Sequence, residues 1–269
     1  MQTRSLSPKH ADAPVVPIIG MGTSKTLDTD DLALAGDVVS TALDAGTTLF
    51  DSSPMYGKAE RTLGRALETR RAAAIVATKV WTDDDEVAEQ QIAASLSFYG
   101  GHIELLQIHN MVRWPERLRR IEELRDAGQV TLVGATHWKK SSFDELEAAM
   151  VTDRLDAIQI PYNPREREVE DRLLPLAAEL GLGVLIMRPF AAADLMRTPP
   201  SAAELAPLEP FGIHTWSQAL LQWGLSHPAT SVSIPATSKP GRAAENAVAG
   251  DATPLDEVHR QLISRLAGA

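Results

Sequence analysis

Cysteine is absent from this sequence of 269 residues, which excludes disulfide bonds, thiolate metal sites and a cysteine nucleophile. Long apolar runs are missing too, because none approaches the ~20 residues that a membrane-spanning helix requires. The first ten residues lack the apolar core of a secretion signal. Five of the histidines do not show the spacing of metal ligands: His10, His102, His214, His227 and His259. These absences predict a protein of the cytoplasm with no membrane partner and no metal.

Positive charge is in short supply, with 26 lysine and arginine residues against 36 aspartate and glutamate residues. The net charge of −10 disfavours nucleic acid as a partner. A locally basic pocket could still bind an anionic cofactor, because the field in a cleft depends on the nearby charges. The hydrophobic fraction of 44% is ordinary for a globular protein. We expect a single domain over residues 1–269, with residues 1–12 flexible.

Glycine-rich phosphate loops are also missing. Residues 20–25 read Gly-Met-Gly-Thr-Ser-Lys and lack the third glycine of the dinucleotide-binding fingerprint. No Gly-Lys-Ser/Thr phosphate loop occurs either. A doubly wound open sheet, the main alternative among α/β folds, therefore lacks its usual signature.

Eight short apolar runs alternate with stretches that carry helix signals. This alternation predicts an α/β protein with a (β/α)8 (TIM) barrel, in which functional groups gather at the carboxyl ends of the strands. The runs cover residues 15–23, 48–51, 74–79, 103–109, 131–136, 157–161, 183–188 and 231–235.

Three connecting segments stand out between these runs. Residues 28–31 and 82–86 are acidic clusters, and we interpret both as helix caps because acidic side chains accept hydrogen bonds from the free amides there. Residues 189–215 make one connection about twenty residues longer than a βα unit needs. Since such loops are usually functional, we expect this segment to cover a bound cofactor.

Four polar residues are predicted to share the carboxyl end of the barrel. Asp51, Lys79 and His109 end three consecutive apolar runs, and Tyr56 lies in the loop after the first of them. An ammonium group near a phenol favours the phenolate, so Lys79 is expected to lower the pKa of Tyr56 while Asp51 keeps the lysine charged. Each residue alone has a structural explanation, such as an ion pair or a packed ring. Their joint placement favours Tyr56 as a proton donor.

Several short motifs contain or flank these residues. Residues 50–57 read Phe-Asp-Ser-Ser-Pro-Met-Tyr-Gly and precede Glu60 and Gly64, while residues 77–79 read Ala-Thr-Lys. Residues 105–110 read Leu-Leu-Gln-Ile-His-Asn, and residues 234–239 read Ile-Pro-Ala-Thr-Ser-Lys. With these motifs the sequence resembles the aldo-keto reductases over nearly its whole length. That family consists of (β/α)8 barrels that reduce carbonyl groups with NADPH.

The resemblance implies a catalytic tetrad of Asp51, Tyr56, Lys79 and His109. Tyr56 would donate a proton as hydride arrives from nicotinamide, and His109 would orient the carbonyl group of a small-molecule substrate. The resemblance also implies a set of cofactor-binding residues: Gly22, Thr23, Thr136, His137, Gln159, Arg188, Thr237, Ser238, Arg242, Glu245 and Asn246.

The cofactor set departs from the family pattern at three places. Thr136 and His137 stand where many members have Ser-Asn, and both can still hydrogen-bond an amide. Arg188 replaces an aromatic ring that stacks on nicotinamide, and a guanidinium can also stack. Ala236 replaces a lysine, which weakens the preference for NADPH, so NADH is an alternative cofactor.

Met55, Trp81 and Trp114 are expected to line an apolar substrate pocket. Many relatives carry a longer carboxyl-terminal tail, and its absence suggests an open pocket. Two other functions stay open at this stage. The barrel could bind NADPH without catalysis, as a sensor or partner module, or it could use Lys79 as a Schiff-base amine in a lyase or isomerase.

Overall fold

A computed structural model describes all 269 residues, and its main feature is a barrel of eight parallel strands. Each barrel strand is hydrogen-bonded to the next one along the chain, and parallel bridges from Ile19 to Ser233 and from Gly22 to Ala236 join the last strand to the first. The predicted (β/α)8 fold is confirmed. In chain order the strands are β1 (Thr3–Ser5), β2 (Val15–Pro17), β3 (Met21–Gly22), β4 (Leu49–Asp51), β5 (Ile75–Val80), β6 (Ile103–His109), β7 (Val130–Thr136), β8 (Ala157–Pro161), β9 (Gly183–Met187) and β10 (Val232–Ser233).

Ten α-helices accompany the strands, most of them in the connections around the barrel. None combines the length and the apolar character needed to cross a membrane. They are α1 (Leu32–Asp44), α2 (Ala59–Leu67), α3 (Asp85–Phe98), α4 (Trp114–Asp126), α5 (Phe143–Met150), α6 (Leu173–Glu179), α7 (Ala202–Leu205), α8 (Trp216–Leu225), α9 (Pro240–Val248) and α10 (Glu257–Leu266).

Side chains of the barrel strands alternate between the interior and the helical layer. On β6, Leu105 belongs to a cluster of ten buried side chains inside the barrel. Leu106 and Ile108 belong instead to a cluster of 60 between strands and helices. Gln107 and His109 share the parity of Leu105 and face inward. Polar groups near the carboxyl ends of the strands therefore meet above an apolar floor.

A hairpin closes the amino-terminal end of the barrel. Strand β1 pairs with β2 in antiparallel fashion and lies within residues 1–12, the segment expected to be flexible. The first apolar run also splits, because only β3 joins the barrel while β2 belongs to the hairpin. Leu6 and Val16 have no exposed surface and pack against the interior cluster. Burial of these side chains explains why the hairpin stays on the barrel.

Both acidic clusters contain helix caps, as predicted. Asp31 precedes α1, and its side chain accepts a hydrogen bond from the amide of Leu34. Asp84 precedes α3 and accepts from the amides of Glu86 and Val87. Each cap satisfies amide groups that the first helical turn leaves without a partner.

The long segment 189–215 is ordered and anchored to the barrel. It contains α7 between two 3-10 segments, Ala191–Met196 and Ala206–Phe211. Leu195 and Leu208 are buried, and the indole nitrogen of Trp216 donates to the carbonyl oxygen of Leu195 at 2.7 Å. The segment is therefore fixed at several points along its length.

The contact between the hairpin and the barrel predicts the effect of a substitution at Gly183. A Cβ atom there would collide with the backbone carbonyl oxygen of Leu6. We expect Gly183→Ala to lower the free energy of unfolding by about 1–3 kcal/mol, as overpacking does. Gly36→Ala is the matched control, because no atom lies within 4 Å of its added Cβ and alanine is the better helix former. Urea unfolding measures both, and equal stability of the two variants would contradict the hairpin contact.

Candidate active site

A buried ion pair lies inside the barrel. The ammonium nitrogen of Lys79 is 2.8 and 2.7 Å from the carboxylate oxygens of Asp51 and 2.7 Å from the carbonyl oxygen of Ser52. Burial acts to lower the pKa of Lys79, but the Asp51 carboxylate, aided by weaker contributions, outweighs it and the net shift is upward. Lys79 is therefore charged, and these three acceptors match its three N–H donors.

Two glutamines complete the surroundings of Asp51. The side-chain amides of Gln107 and Gln159 both donate to Asp51 Oδ1, at 3.2 and 2.8 Å. Gly134 leaves the necessary room, because a Cβ atom there would lie 2.9 Å from Gln107 Cγ. Gln107 was not among the predicted site residues. Its inward position two residues before His109 on β6 is the signal that could have found it.

Tyr56 ends a 3-10 turn, Pro54–Tyr56, which follows β4. Its ring centroid is 5.3 Å from the Lys79 ammonium and 5.9 Å from the ring of His109, which it meets edge-on. Burial raises the pKa of Tyr56 above 10.0, and Lys79 opposes this shift only in part. The predicted lowering of this pKa is therefore wrong, because the loss of hydration outweighs the ammonium. Tyr56 keeps its proton at neutral pH.

His109 is a neutral imidazole at the end of β6. Burial lowers its pKa to about 3, and the charge of Lys79 acts in the same direction. Its Nδ1 atom lies 2.8 Å from the hydroxyl oxygen of Ser53. The ring of Trp81 is tilted against it with the centroids 6.5 Å apart. The structure thus brings Asp51, Lys79, Tyr56 and His109 together, as predicted.

Glu60 and Gly64 of the motif support the tetrad from outside the barrel. The Glu60 carboxyl accepts from Thr78 Oγ1 at 2.6 Å and from Ser95 Oγ at 2.8 Å, and burial raises its pKa. Gly64 allows α2 to approach α3, because a Cβ atom there would lie 2.7 Å from the carbonyl oxygen of Phe98. These residues hold β5, and with it Lys79, against the helices.

Several predicted cofactor residues lie at the strand ends beside the tetrad. The Thr23 amide donates to the carbonyl oxygen of Asp51 at 3.0 Å, and its hydroxyl donates to Ser52 Oγ at 2.9 Å. Thr136 pairs with His109 on one side and with Gln159 on the other. Gly22 precedes Thr23 at the end of β3.

His137 follows Thr136 and has a defined orientation. Burial lowers its pKa, so the ring is neutral. Its Nδ1 atom accepts a hydrogen bond from the amide of Lys139 at 3.0 Å. The ring proton is therefore on Nε2, which is a free donor.

Arg188 follows β9 and has partners within the protein. It adopts a left-handed backbone conformation with φ of 55°, and Asn163 donates to its carbonyl oxygen at 2.9 Å. Its guanidinium is 3.0 Å from the Glu166 carboxylate and lies over the ring of Trp138 at 5.4 Å. Nothing in the sequence motif signals Glu166 or Trp138 as partners of this arginine.

The remaining predicted cofactor residues form a second group around the start of α9. Arg242, Ser238 and Lys239 are exposed, and the two cations make no ion pair. No side chain caps the amino end of this helix. Thr237 and Asn246 are buried close by, and Glu245 accepts from Ser217 Oγ at 2.7 Å. This group is basic and rich in free donors.

The predicted pocket residues have different surroundings. Met55 and Trp81 are 45% and 40% exposed, and Trp81 contacts His109. Trp114 begins α4 and packs against the large core cluster. Trp138, beside Arg188, is a further exposed aromatic residue at a strand end.

Comparison with known proteins gives consistent results. The model of the "Aldo/keto reductase family" matches residues 18–199. The chain is 29% identical to the aldo-keto reductase YhdN of Bacillus subtilis over 172 residues, 56% of this chain and 50% of that protein. It thus aligns with only half the length of that relative. It is 27% identical to an uncharacterized oxidoreductase of Mycobacterium tuberculosis over 249 residues, 81% of this chain and 77% of the other.

A solved structure has the same fold. The aldo-keto reductase of Klebsiella pneumoniae, crystallised in complex with NADPH, superposes with a TM-score of 0.82. The two chains are 22% identical, and the superposition covers 96% of this chain and 94% of the other.

The buried ion pair predicts how Lys79 affects stability. Lys79→Met leaves the Asp51 carboxylate buried without a counter-charge, and we expect a loss of about 3–5 kcal/mol in the free energy of unfolding. The double variant Lys79→Met/Asp51→Asn removes the unpaired charge and should recover most of this loss. Urea unfolding of the wild type and both variants measures these changes. An equal loss of unfolding free energy in the two variants would contradict a charged pair.

The lowered pKa of His109 predicts an absence of titration. Its ring stays neutral from about pH 8 to pH 5, so its NMR signals should not move over that range. The urea-unfolded chain is the control, because there the same ring should titrate near pH ~6.5. Titration of His109 near that value in the folded protein would contradict its burial beside Lys79.

Proposed function

The chain belongs to the aldo/keto reductase family, and from this membership we propose that it reduces an aldehyde or ketone to an alcohol with NADPH. One observation carries the proposal for this site. The phenol of Tyr56 lies with its ring centroid 5.3 Å from the Lys79 ammonium and 5.9 Å from the His109 ring, and the phenol is protonated, the lysine charged and the imidazole neutral. Each group has the protonation state that carbonyl reduction requires.

Tyr56 is suited to protonate the product oxygen. Hydride addition to a carbonyl carbon leaves an alkoxide, which is a stronger base than a phenolate. A phenol whose pKa lies above 10.0 still transfers its proton to such an oxygen and does not lose it to water at pH 7. The Lys79 ammonium near the ring stabilises the phenolate that forms. Asp51 keeps this ammonium charged throughout the reaction.

His109 is suited to bind the carbonyl oxygen. A neutral imidazole donates a hydrogen bond from one ring nitrogen and carries no charge that would compete with the phenol as an acid. Its ring lies at the edge of the Tyr56 ring and beside Trp81, so it faces the same space as the phenol. A carbonyl oxygen held there would be positioned for proton transfer.

The residues near the tetrad fit a nicotinamide amide group. Gln159 uses its side-chain nitrogen to bind Asp51, which leaves its oxygen as an acceptor. His137 has a free donor on Nε2 because its other nitrogen accepts from Lys139. A carboxamide needs both an acceptor and a donor. When bound, the reduced nicotinamide supplies the hydride.

The group at α9 fits the adenosine end of the cofactor. Arg242 and Lys239 are unpaired cations beside a helix amino terminus without a side-chain cap, and Thr237 and Ser238 add hydroxyl groups. Two free cations suit a 2′-phosphate, which favours NADPH. Ala236 offers no third cation, so NADH is the alternative. Glu245 and Asn246 would meet the adenine.

The segment 189–215 is proposed to cover the cofactor. It begins directly after Arg188, and Ala191, Ala192 and Ala193 all have positive φ angles, which turn the chain sharply at the end of β9. Anchoring through Leu195 to α8 keeps it on the barrel. A cover fixed in this way would slow the release of the bound cofactor into water.

The substrate class is proposed to be an apolar carbonyl compound. Met55, Trp81 and Trp138 are exposed side chains that would form an aromatic and thioether rim beside the tetrad. A Schiff-base reaction at Lys79 is disfavoured, because its pKa is raised and all three of its donors are engaged. Such an amine is protonated and cannot attack a carbonyl carbon.

Replacement of the proposed acid tests this function. Tyr56→Phe removes the transferable proton and leaves the ring, so we expect turnover to fall by about 10²–10⁴-fold. The Kd for NADPH should change by less than about twofold, since the proposed cofactor residues are unchanged. Turnover is followed as loss of NADPH absorbance with a panel of aldehydes and ketones.

Tyr99→Phe is the matched control for this variant. Its ring is fully buried, and its hydroxyl is not one of the proposed catalytic groups, so turnover should fall far less than in Tyr56→Phe. Wild-type turnover in Tyr56→Phe would contradict the role of Tyr56. NADPH binding without oxidation by any carbonyl compound would indicate a binding module instead.

A further inference from the structure

Ser53 contacts both sides of the proposed active site, although no motif gives it a role. It lies between Asp51 and Tyr56 and has no exposed surface. Its hydroxyl oxygen is 3.1 Å from the amide nitrogen of Met55 and 2.8 Å from His109 Nδ1. Its carbonyl oxygen accepts from the amide of Tyr56 at 3.0 Å. One residue therefore joins the turn that carries the phenol to the imidazole.

The hydrogen atoms of this contact can be assigned by counting donors and acceptors. The Met55 amide can only donate, so the Ser53 oxygen accepts from it. No acceptor other than His109 Nδ1 lies within hydrogen-bond distance of the hydroxyl. If Nδ1 carried a proton, the serine oxygen would accept twice and its own buried hydrogen would have no partner. Such an unpaired group costs about 1–3 kcal/mol.

The opposite arrangement satisfies every group. The serine hydroxyl donates to Nδ1, which then holds a lone pair, and the single proton of the neutral ring lies on Nε2. Nε2 is the ring nitrogen without a partner inside the protein, and it is the one that can donate to a ligand. A hydrogen bond from a neighbouring side chain to one ring nitrogen commonly fixes both the tautomer and the orientation of a histidine.

We propose that Ser53 is a positioning residue that fixes His109 as the Nε2–H tautomer, aimed to donate to the carbonyl oxygen of the substrate. The inference rests on the proposed function, because the ligand of Nε2 is the oxygen that becomes the alcohol. It also links the positions of His109 and Tyr56. The same hydroxyl caps the turn that carries Tyr56, so donor and acid are held by one side chain.

The tautomer is measured directly by ¹⁵N NMR on histidine-labelled protein without substrate. In a neutral ring the lone-pair nitrogen resonates far downfield of the protonated one, and a His109→Gln variant identifies the signals of His109. We expect Nδ1 at the lone-pair position and Nε2 at the protonated position. A proton on Nδ1 would overturn the proposal. This result does not depend on turnover, so it stays separate from any failure of the proposed function.

The role of Ser53 is then tested with two variants. Ser53→Ala should move the Nδ1 signal, because its hydrogen bond is lost, and should lower kcat about tenfold through loss of ring alignment, with NADPH affinity unchanged. Ser53→Thr keeps the hydroxyl and should restore both the signal and kcat. An unchanged Nδ1 signal in Ser53→Ala would overturn the proposal whether or not any carbonyl compound is reduced.

A matched control separates positioning from a general loss of packing. Ser7→Ala also removes a fully buried serine hydroxyl, but this hydroxyl has no partner and lies on the hairpin segment at the far end of the barrel. It should leave the His109 signals and kcat at their wild-type values. Equal losses of kcat in Ser7→Ala and Ser53→Ala, with equal falls in stability, would overturn a specific role for Ser53.

Discussion

The pairing of Lys79 with Asp51 is the interaction on which the rest of the site depends. Both groups are almost completely buried, and each would be costly to bury alone. Two hydrogen bonds join the ammonium to Asp51, and three more connect the pair to its surroundings: one to the carbonyl oxygen of Ser52 and two from the glutamines that donate to Asp51 Oδ1. The charge of Lys79 acts on both neighbouring rings. It partly opposes the rise in the pKa of Tyr56 and helps keep His109 neutral.

The barrel can accommodate this buried ion pair because its strands separate apolar from polar layers. On β6, Leu105 fills an inward position near the hairpin. The next two inward positions towards the carboxyl end of the strand carry Gln107 and His109. Outward positions on the same strands pack against helices, and Glu60 holds β5 from that side. Asp51, Lys79 and His109 are therefore held on regular strands, whereas Tyr56 and Ser53 come from the loop after β4. That loop is held in turn by hydrogen bonds that Ser53 accepts from the amides of Met55 and Tyr56.

Much of this could be predicted from the sequence, and the limits have physical causes. Asp51, Lys79 and His109 end consecutive parallel strands, so the alternation of strands and helices alone places them together. The pKa of Tyr56 could not be predicted, because hydration lost on burial depends on the folded surroundings. The contact of Gln159 with Asp51 crosses the barrel and depends on strand register. The ion pair between Arg188 and Glu166 could not be predicted either, because the local sequence gives no signal for it.

The proposed reaction takes hydride from the nicotinamide and its proton from the Tyr56 phenol held beside Lys79. The most direct test uses reduced nicotinamide with both hydrogens of its hydride-donating carbon replaced by deuterium, and the alcohol product is examined by mass spectrometry and NMR. One deuterium is expected on the former carbonyl carbon, and none is expected on the oxygen, whose proton exchanges with water. An alcohol formed without deuterium on that carbon would contradict it.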